Sequence, residues 1–194
     1  MKPAPEWNKE AMLQSPLFAP LHPVLADLET GGFPTLQDCN ALLAARCPAI
    51  VVRNGIPLRL VAQQYGKLPF EAQYEPRCYL KGEVPTRADN WHDLLNALVW
   101  LAFPKTKAVL NARHYDALVE ERASGDTGRG SVRDVNTLLD ESGVIVVYAD
   151  AELAVLMRGF QWRELFWQRR EQVKAGMGFF LLGHGLYEKA LRPY

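Results

Sequence analysis

The stretch Trp91-His92-Asp93-Leu94-Leu95-Asn96-Ala97-Leu98-Val99-Trp100-Leu101-Ala102-Phe103 decides the fold. Wound as a helix, it places Leu94, Leu95, Leu98, Val99, Leu101 and Phe103 around most of its circumference and leaves no solvated face. A helix apolar nearly all round is buried, so other elements must wrap it. Its polar residues are then the informative ones. His92 and Asn96 lie one turn apart, with Asp93 adjoining, and a buried polar group left unpaired costs roughly 1 to 3 kcal/mol. Asp89 or Asn90 can cap the start of this helix, and Pro104 suits the first turn of a second one that keeps a helical pattern to Arg122.

Toward the N-terminus, Pro3, Pro5, Pro16, Pro20, Pro23, Pro34 and Pro48 restrict helices to short pieces. Thr35-Leu36-Gln37-Asp38 resembles a capping box with Asp in place of Glu and predicts a helix from Leu36 to Arg46. Ala49 to Val52 and Ile56 to Val61 flank Asn54-Gly55, which predicts a β-hairpin with positive φ at both turn positions. Phe70 to Leu80 alternates loosely and predicts a further strand.

Toward the C-terminus, a loop from Ala123 to Gly130 leads to a short helix capped by Ser131 and ending before Gly143. Val144-Ile145-Val146-Val147-Tyr148 is a continuous β-branched run and predicts a buried strand. Asp150 caps the next helix, and Gln161 to Lys174 makes another, with Trp162, Leu165, Phe166 and Val173 as its buried stripe. Met177 to Leu191 is either a strand turning into a helix at Gly183-His184-Gly185 or one uninterrupted helix. The sum is an α+β chain, mostly helical, with a small sheet built on the hairpin and one buried central strand. It reads as a single domain over 1–194, with a proline-punctuated region over 1–48 and the main body over 49–194.

Composition bounds the function. A chain of 194 residues with 48% hydrophobic content can bury about 70% of its unfolded surface without a disulfide or a metal. Lys plus Arg and Asp plus Glu both number 22, which removes the global basic field of a nucleic-acid binder. Cys39, Cys47 and Cys78 are odd in number and form no C-x-x-C, as expected of a reduced, intracellular protein. The opening Met1 to Trp7 has no apolar h-region, and Leu94 to Phe103 falls short of the roughly 18 apolar residues of a membrane span. A cytoplasmic location without a membrane partner is the expectation.

Seven residues are candidates for chemistry: His92, Asp93, Asn96, Asp140, Glu141, His184 and Glu188. His92 is a base or metal ligand at the wall of a cleft, or a structural tie. Asp140 and Glu141 sit in the last turn before Gly143, where the helix dipole disfavours a carboxylate by about 0.3 to 1 kcal/mol. Either an ion pair, for which Arg133 lies on the same face, or a bound cation must compensate them. His184 and Glu188 are four apart and share a helix face, with Gly183 and Gly185 permitting a close approach. His114 reads as a core histidine, and His22 carries no case.

Gly128-Arg129-Gly130-Ser131, with Arg133 nearby, opens a helix whose free N–H groups suit a small anion. It lacks the Gly-Lys-Ser/Thr ending of a phosphate loop. Arg163, Arg170 and Lys174 group beside Trp167 in a weak basic face that does not favour nucleic acid as a partner. No G-x-S-x-G, dinucleotide fingerprint or flavin motif occurs, which leaves a divalent metal as the cofactor to consider. Two function classes follow: metal-assisted or general acid–base hydrolysis of a small anionic substrate, and a non-catalytic binding or scaffold protein. The first requires His92, Asp140 or Glu141, and His184 within about 10 Å of one another.

Several runs also carry a likeness: Gly82 to Arg87, Asn90 to Lys107, Asn111-Ala112-Arg113-His114, Asp140 to Val147, Leu165-Phe166-Trp167, and Gly183 to Leu191. From about Phe70 onward the chain resembles an uncharacterised bacterial family, domain of unknown function 3025. The resemblance implies an intracellular bacterial protein and supplies no activity, substrate or catalytic residue. It also implies that such proteins continue beyond the position of Tyr194.

Overall fold

Prolines set the lengths of the first elements. In the computed structural model, which describes residues 6–124 and 130–192, helix α1 (Lys9–Gln14), a 3-10 turn (Pro16–Leu21) and α2 (His22–Ala26) follow one another, with Pro16 and Pro23 in their opening turns. Helix α3 (Leu36–Ala44) starts at the expected capping box: Thr35 accepts from the Asp38 N–H, and Asp38 accepts from the Thr35 N–H.

The hairpin is smaller than its sequence suggests. One bridge joins Val51 to Pro57, closed by Val52 N–H to Ile56 O and Leu58 N–H to Ile50 O, both 2.9 Å. Gly55 alone in the turn has positive φ, +86°, so the loop is the three-residue Arg53-Asn54-Gly55 ending in a left-handed glycine, in place of a two-residue turn. The outgoing arm then leaves its partner. As β1 (Arg59–Ala62) it pairs in parallel with β2 (Glu83–Thr86), Arg59 opposite Glu83 and Ala62 opposite Thr86. The crossover between them is helix α4 (Tyr74–Lys81), where the loose alternation of 70–80 predicts a strand. Two signals mark it as helix. Pro76 falls in the first turn, where its missing N–H costs nothing, and Gly82 at φ +65° ends it in the left-handed conformation. A Cβ on Gly82 would lie 2.2 Å from the Pro57 carbonyl oxygen.

Helix α5 (Trp91–Ala102) occupies the centre. Asn90 caps it by accepting from the Asp93 N–H, and Leu95, Leu98 and Val99 are fully shielded. Trp7 stacks on Trp91 at 5.6 Å and Phe33 meets it edge-on at 5.0 Å, closing the N-terminal end. Pro104 opens α6 (Pro104–Ser124), and α7 (Ser131–Ser142) begins at Gly130 without a side-chain cap from Ser131.

Strand β3 (Val144–Tyr148) pairs antiparallel with β4 (Met177–Leu181) in a sheet of their own. It is not the buried central strand its composition predicts: Val147 is 56% exposed and Tyr148 43%. A β-branched run reports strand propensity, whereas burial on both faces requires a layer on each side, and this ribbon has helices α8 (Ala151–Arg158) and α9 (Arg170–Gly176) packed around a small cluster of Leu153, Leu165 and Val173. Asp150 caps α8 as expected. The stretch from Gln161 is not one helix: a π-helical turn, Glu164–Gln168, breaks it at Arg169, and Trp162 and Phe166 are exposed where a buried stripe is predicted. The tail resolves into β4 followed by α10 (His184–Leu191), with Gly183 at the N-cap. The result is a mostly helical α+β fold with two separate two-stranded sheets. Among the described residues no helix is long and apolar enough to cross a membrane, and Cys39, Cys47 and Cys78 are free thiols.

Candidate metal centre

Three helix ends meet beside α5. The first turn of α5 supplies His92, the last turn of α7 supplies Asp140 and Glu141, and α10 begins with His184. Glycines permit this approach. A Cβ on Gly183 would lie 2.4 Å from the Ser142 nitrogen, and one on Gly185 would lie 2.6 Å from Glu141 Oε2, so any side chain here would push α10 off α7. The base of the ribbon fixes the same junction, since the Gly143 carbonyl accepts from both the Leu182 and Gly183 N–H groups at 2.9 Å.

His92 Nε2 and His184 Nε2 are 3.0 Å apart. Glu141 Oε1 lies 3.7 Å from the first and 3.5 Å from the second. The far side of each ring decides its tautomer. His184 Nδ1 is 2.9 Å from the Asp140 backbone carbonyl, which can only accept, so Nδ1 carries the hydrogen. His92 Nδ1 is 2.9 Å from Glu188 Oε2 and donates to that carboxylate. In the neutral form that a metal ligand requires, both Nε2 lone pairs face each other and Glu141. Second partners of this kind, a carbonyl and a carboxylate, orient imidazoles in metal sites. The triangle of 3.0, 3.5 and 3.7 Å has a point about 2.0 Å from every corner, which matches zinc bonds to imidazole nitrogen and carboxylate oxygen.

A cavity of about 390 Å³ opens onto these groups, and Tyr74, Glu75, Asn96 and His114 line its other walls. Beneath it, Lys107, only 4% exposed, donates to Asp140 and lies 5.6 Å from the centre of the Trp100 ring. Burial works to raise the Asp140 carboxyl, but the charge and hydrogen bond of Lys107 outweigh it and hold that group below the usual carboxylate range. Burial pushes the His184 imidazole down to about 4, with Lys107 adding to the effect, so it is neutral near pH 7. Glu75 behaves oppositely. Burial raises its carboxyl to about 7 against the Asn111 hydrogen bond and the Lys107 charge.

The remaining sequence candidates have other occupations. Asp93 grips Arg87 through both its guanidinium and its backbone N–H, and so ties the end of β2 to α5. Asn96, 7% exposed, donates to the Tyr74 hydroxyl at 2.6 Å, while its Oδ1 has no partner among the described residues. Glu188, one turn from His184 on α10, reaches across to orient His92. Asp140 pairs with Lys107 and not with Arg133, because Arg133 and the Gly130 N–H both bind Glu121, at 2.8 and 3.0 Å. That internal carboxylate stands where an external anion was expected. Ser131 is exposed, and Gly128 and Arg129 lie outside the described residues. Arg163, Arg170 and Lys174 are exposed, and Lys174 pairs with Glu171.

Glu75, Lys107 and Asn111 were not singled out from sequence. A signal existed for two of them: Lys107, Asn111 and His114 recur at spacings of four and three, a polar stripe on one face of α6, and all three are buried. Glu75 was hidden by the strand reading of its segment.

The family model described as "Protein of unknown function (DUF3025)" matches residues 58–194. The chain belongs to the DUF3025 family. That span contains His92, Glu141, His184 and every residue that supports them, while α1 to α3 lie outside it. No curated protein and no solved structure matches this DUF3025 chain, so the site rests on its own geometry.

Proposed function

We propose that this DUF3025 protein is a metal-dependent hydrolase whose ion is held by His92 Nε2, His184 Nε2 and Glu141 Oε1. One observation carries the reading: both imidazoles have their Nδ1 hydrogens engaged elsewhere, so two lone pairs and a carboxylate oxygen converge around a point at bonding distance from all three. Two lone pairs 3.0 Å apart repel unless a proton or a metal cation lies between them. A set of two histidines and one carboxylate leaves a coordination position open toward the cavity, the arrangement in which a metal activates water or polarises a carbonyl or phosphoryl oxygen. Arg87 and Lys107 are already paired with Asp93 and Asp140, so positive charge for an anionic substrate comes from the ion itself. A small polar substrate fits a cavity of about 390 Å³. The free thiols support a reducing, cytoplasmic setting.

The test is thermal denaturation of wild type, His184→Ala and Glu141→Gln with chelator and with Zn²⁺, Mn²⁺, Co²⁺ or Mg²⁺. An ion that binds only the folded state adds about 2.7 kcal/mol at a hundredfold excess over Kd. Wild type gains that stability with one of the ions, and both variants lose the gain. Equal midpoints for wild type under every condition, together with a metal-free purified protein, overturn the metal reading and leave the non-catalytic one.

A further inference from the structure

We propose that Glu75 is the proton-transferring group of this site, accepting a proton from the attacking water and delivering it to the leaving atom of the substrate. The inference rests on the metal reading above. Glu75 lines the same cavity as His92, Glu141 and His184 but comes from a different element, α4. No cation pairs with it in the described structure. Its Oε2 accepts from Asn111 Nδ2 at 2.6 Å, and the same amide reaches the Glu75 backbone carbonyl at 3.1 Å, which fixes the carboxyl without neutralising it. The charged and titratable groups around it are Tyr74 and Cys78 on its own helix, Lys107 and His114 on α6, and Arg133 and Asp140 on α7. Lys107 and Arg133 are committed to Asp140 and Glu121. Glu75 is thus a carboxyl that lines the cavity and has no ion-pair partner among the described residues, which is the setting of a group that gives and takes protons.

The contrast with Asp140 points the same way. Both carboxyls line one pocket, but Asp140 accepts from the Lys107 ammonium, whereas Glu75 accepts from the neutral Asn111 amide. The carboxyl without an ion-pair partner is the one free for acid–base work. The step balances. The water's O–H bond breaks and its proton goes to the Glu75 carboxylate, the oxygen bonds to the electrophilic atom, the electron pair of the scissile bond leaves with the departing atom, and the proton on Glu75 passes to it. One water is consumed and Glu75 is regenerated. Asn96, nine-tenths buried with an unpartnered Oδ1, provides an acceptor at the same cavity for a donor on the substrate.

The test loads wild type, Glu75→Gln and Glu188→Gln with Co²⁺ and follows the visible spectrum from acid to alkaline pH. Two coupled ionisations, Glu75 and the bound water, give wild type a two-step titration. Glu75→Gln binds Co²⁺ with unchanged stoichiometry and titrates in one step, whereas Glu188→Gln keeps two steps and binds the ion roughly 10- to 100-fold more weakly. A Glu75→Gln protein that loads Co²⁺ and still titrates as wild type does overturns the role of Glu75 and leaves the metal centre intact. Absence of any Co²⁺ spectrum in wild type overturns both.

Discussion

Helix α5 and strand β3 carry comparable runs of leucine, valine and isoleucine, yet Leu95, Leu98 and Val99 are fully shielded while Val147 is 56% exposed and Ile145 38%. The difference lies in their neighbours. Helix α5 packs against α2, α3, α6, α10 and the 3-10 turn at 16–21, while β3 has β4 and α8. The region around α5 therefore holds a large core into which polar groups such as Lys107, Asn111 and His184 can be sunk and paired. The ribbon and its helices enclose Leu153, Leu165 and Val173 and leave Phe160, Trp162 and Trp167 in solvent. Burial in that core lowers the His184 imidazole and raises the Glu75 carboxyl, and the candidate site lies there, at the ends of α5, α7 and α10. The ribbon contributes through its base, where Gly143 fastens α7 to α10.

The largest test of this contrast is electrostatic. Lys107→Met leaves Asp140 buried without its cation and is expected to cost about 3–5 kcal/mol in urea-induced unfolding. Arg169→Met in the ribbon region breaks contacts to Glu152 and Glu164 at the surface, and its unfolding midpoint is expected to stay within error of wild type. Equal losses in the two variants would remove the distinction between the regions. Packing gives a second, slightly smaller contrast. Leu98→Ala is expected to cost about 2–5 kcal/mol, because a filled core closes only partly around the void, and Val147→Ala about 1 kcal/mol or less. Comparable midpoint shifts would mean that the ribbon is covered in solution.

The same contrast explains what sequence could and could not tell. The all-round apolar character of Trp91 to Phe103 is a local property, and it led directly to a buried helix with His92 at its edge. Capping at Thr35, Asn90 and Asp150 was likewise legible, since each cap lies within three residues of its partner. Burial of Val144 to Tyr148 was not, because the number of layers over a strand depends on elements elsewhere in the chain. His92, Glu141 and His184 were recognisable as candidates by type and helix position, but their 3.0 to 3.7 Å separations join segments far apart in sequence. The spacing of His184 and Glu188 was incomplete for a related reason: a shared helical face does not say which neighbouring helix the carboxylate will reach, and Glu188 reaches His92 on α5.

The last of the expected effects concerns Glu75, and it depends on pH. The acids of the ribbon region stand in solvent, with the side chains of Glu152 and Glu171 exposed by 74% and 82%, whereas Glu75 is held against the core. Its folded pKa of about 7 lies above the ordinary value of 4.5. Below about pH 4.5 both the folded and unfolded chains carry the proton, and the group contributes nothing. Between about 4.5 and 7 the unfolded chain releases the proton while the folded one retains it, so raising the pH draws the equilibrium toward unfolding. Above 7 the folded chain must hold the buried charge, and the whole penalty is present. At about 1.4 kcal/mol per pKa unit this amounts to something on the order of 3–4 kcal/mol. Glu75→Gln keeps an oxygen for the Asn111 amide and removes the titration. The difference in unfolding free energy between wild type and Glu75→Gln is therefore expected to move in favour of the variant as pH rises from about 4.5 to 8, with the steepest change below 7. Measuring both proteins without added metal separates this effect from ion binding. A difference that stays flat across that range would show that Glu75 ionises as readily as a surface acid, and the electrostatic half of the contrast between core and ribbon would then rest on Lys107 and Asp140 alone.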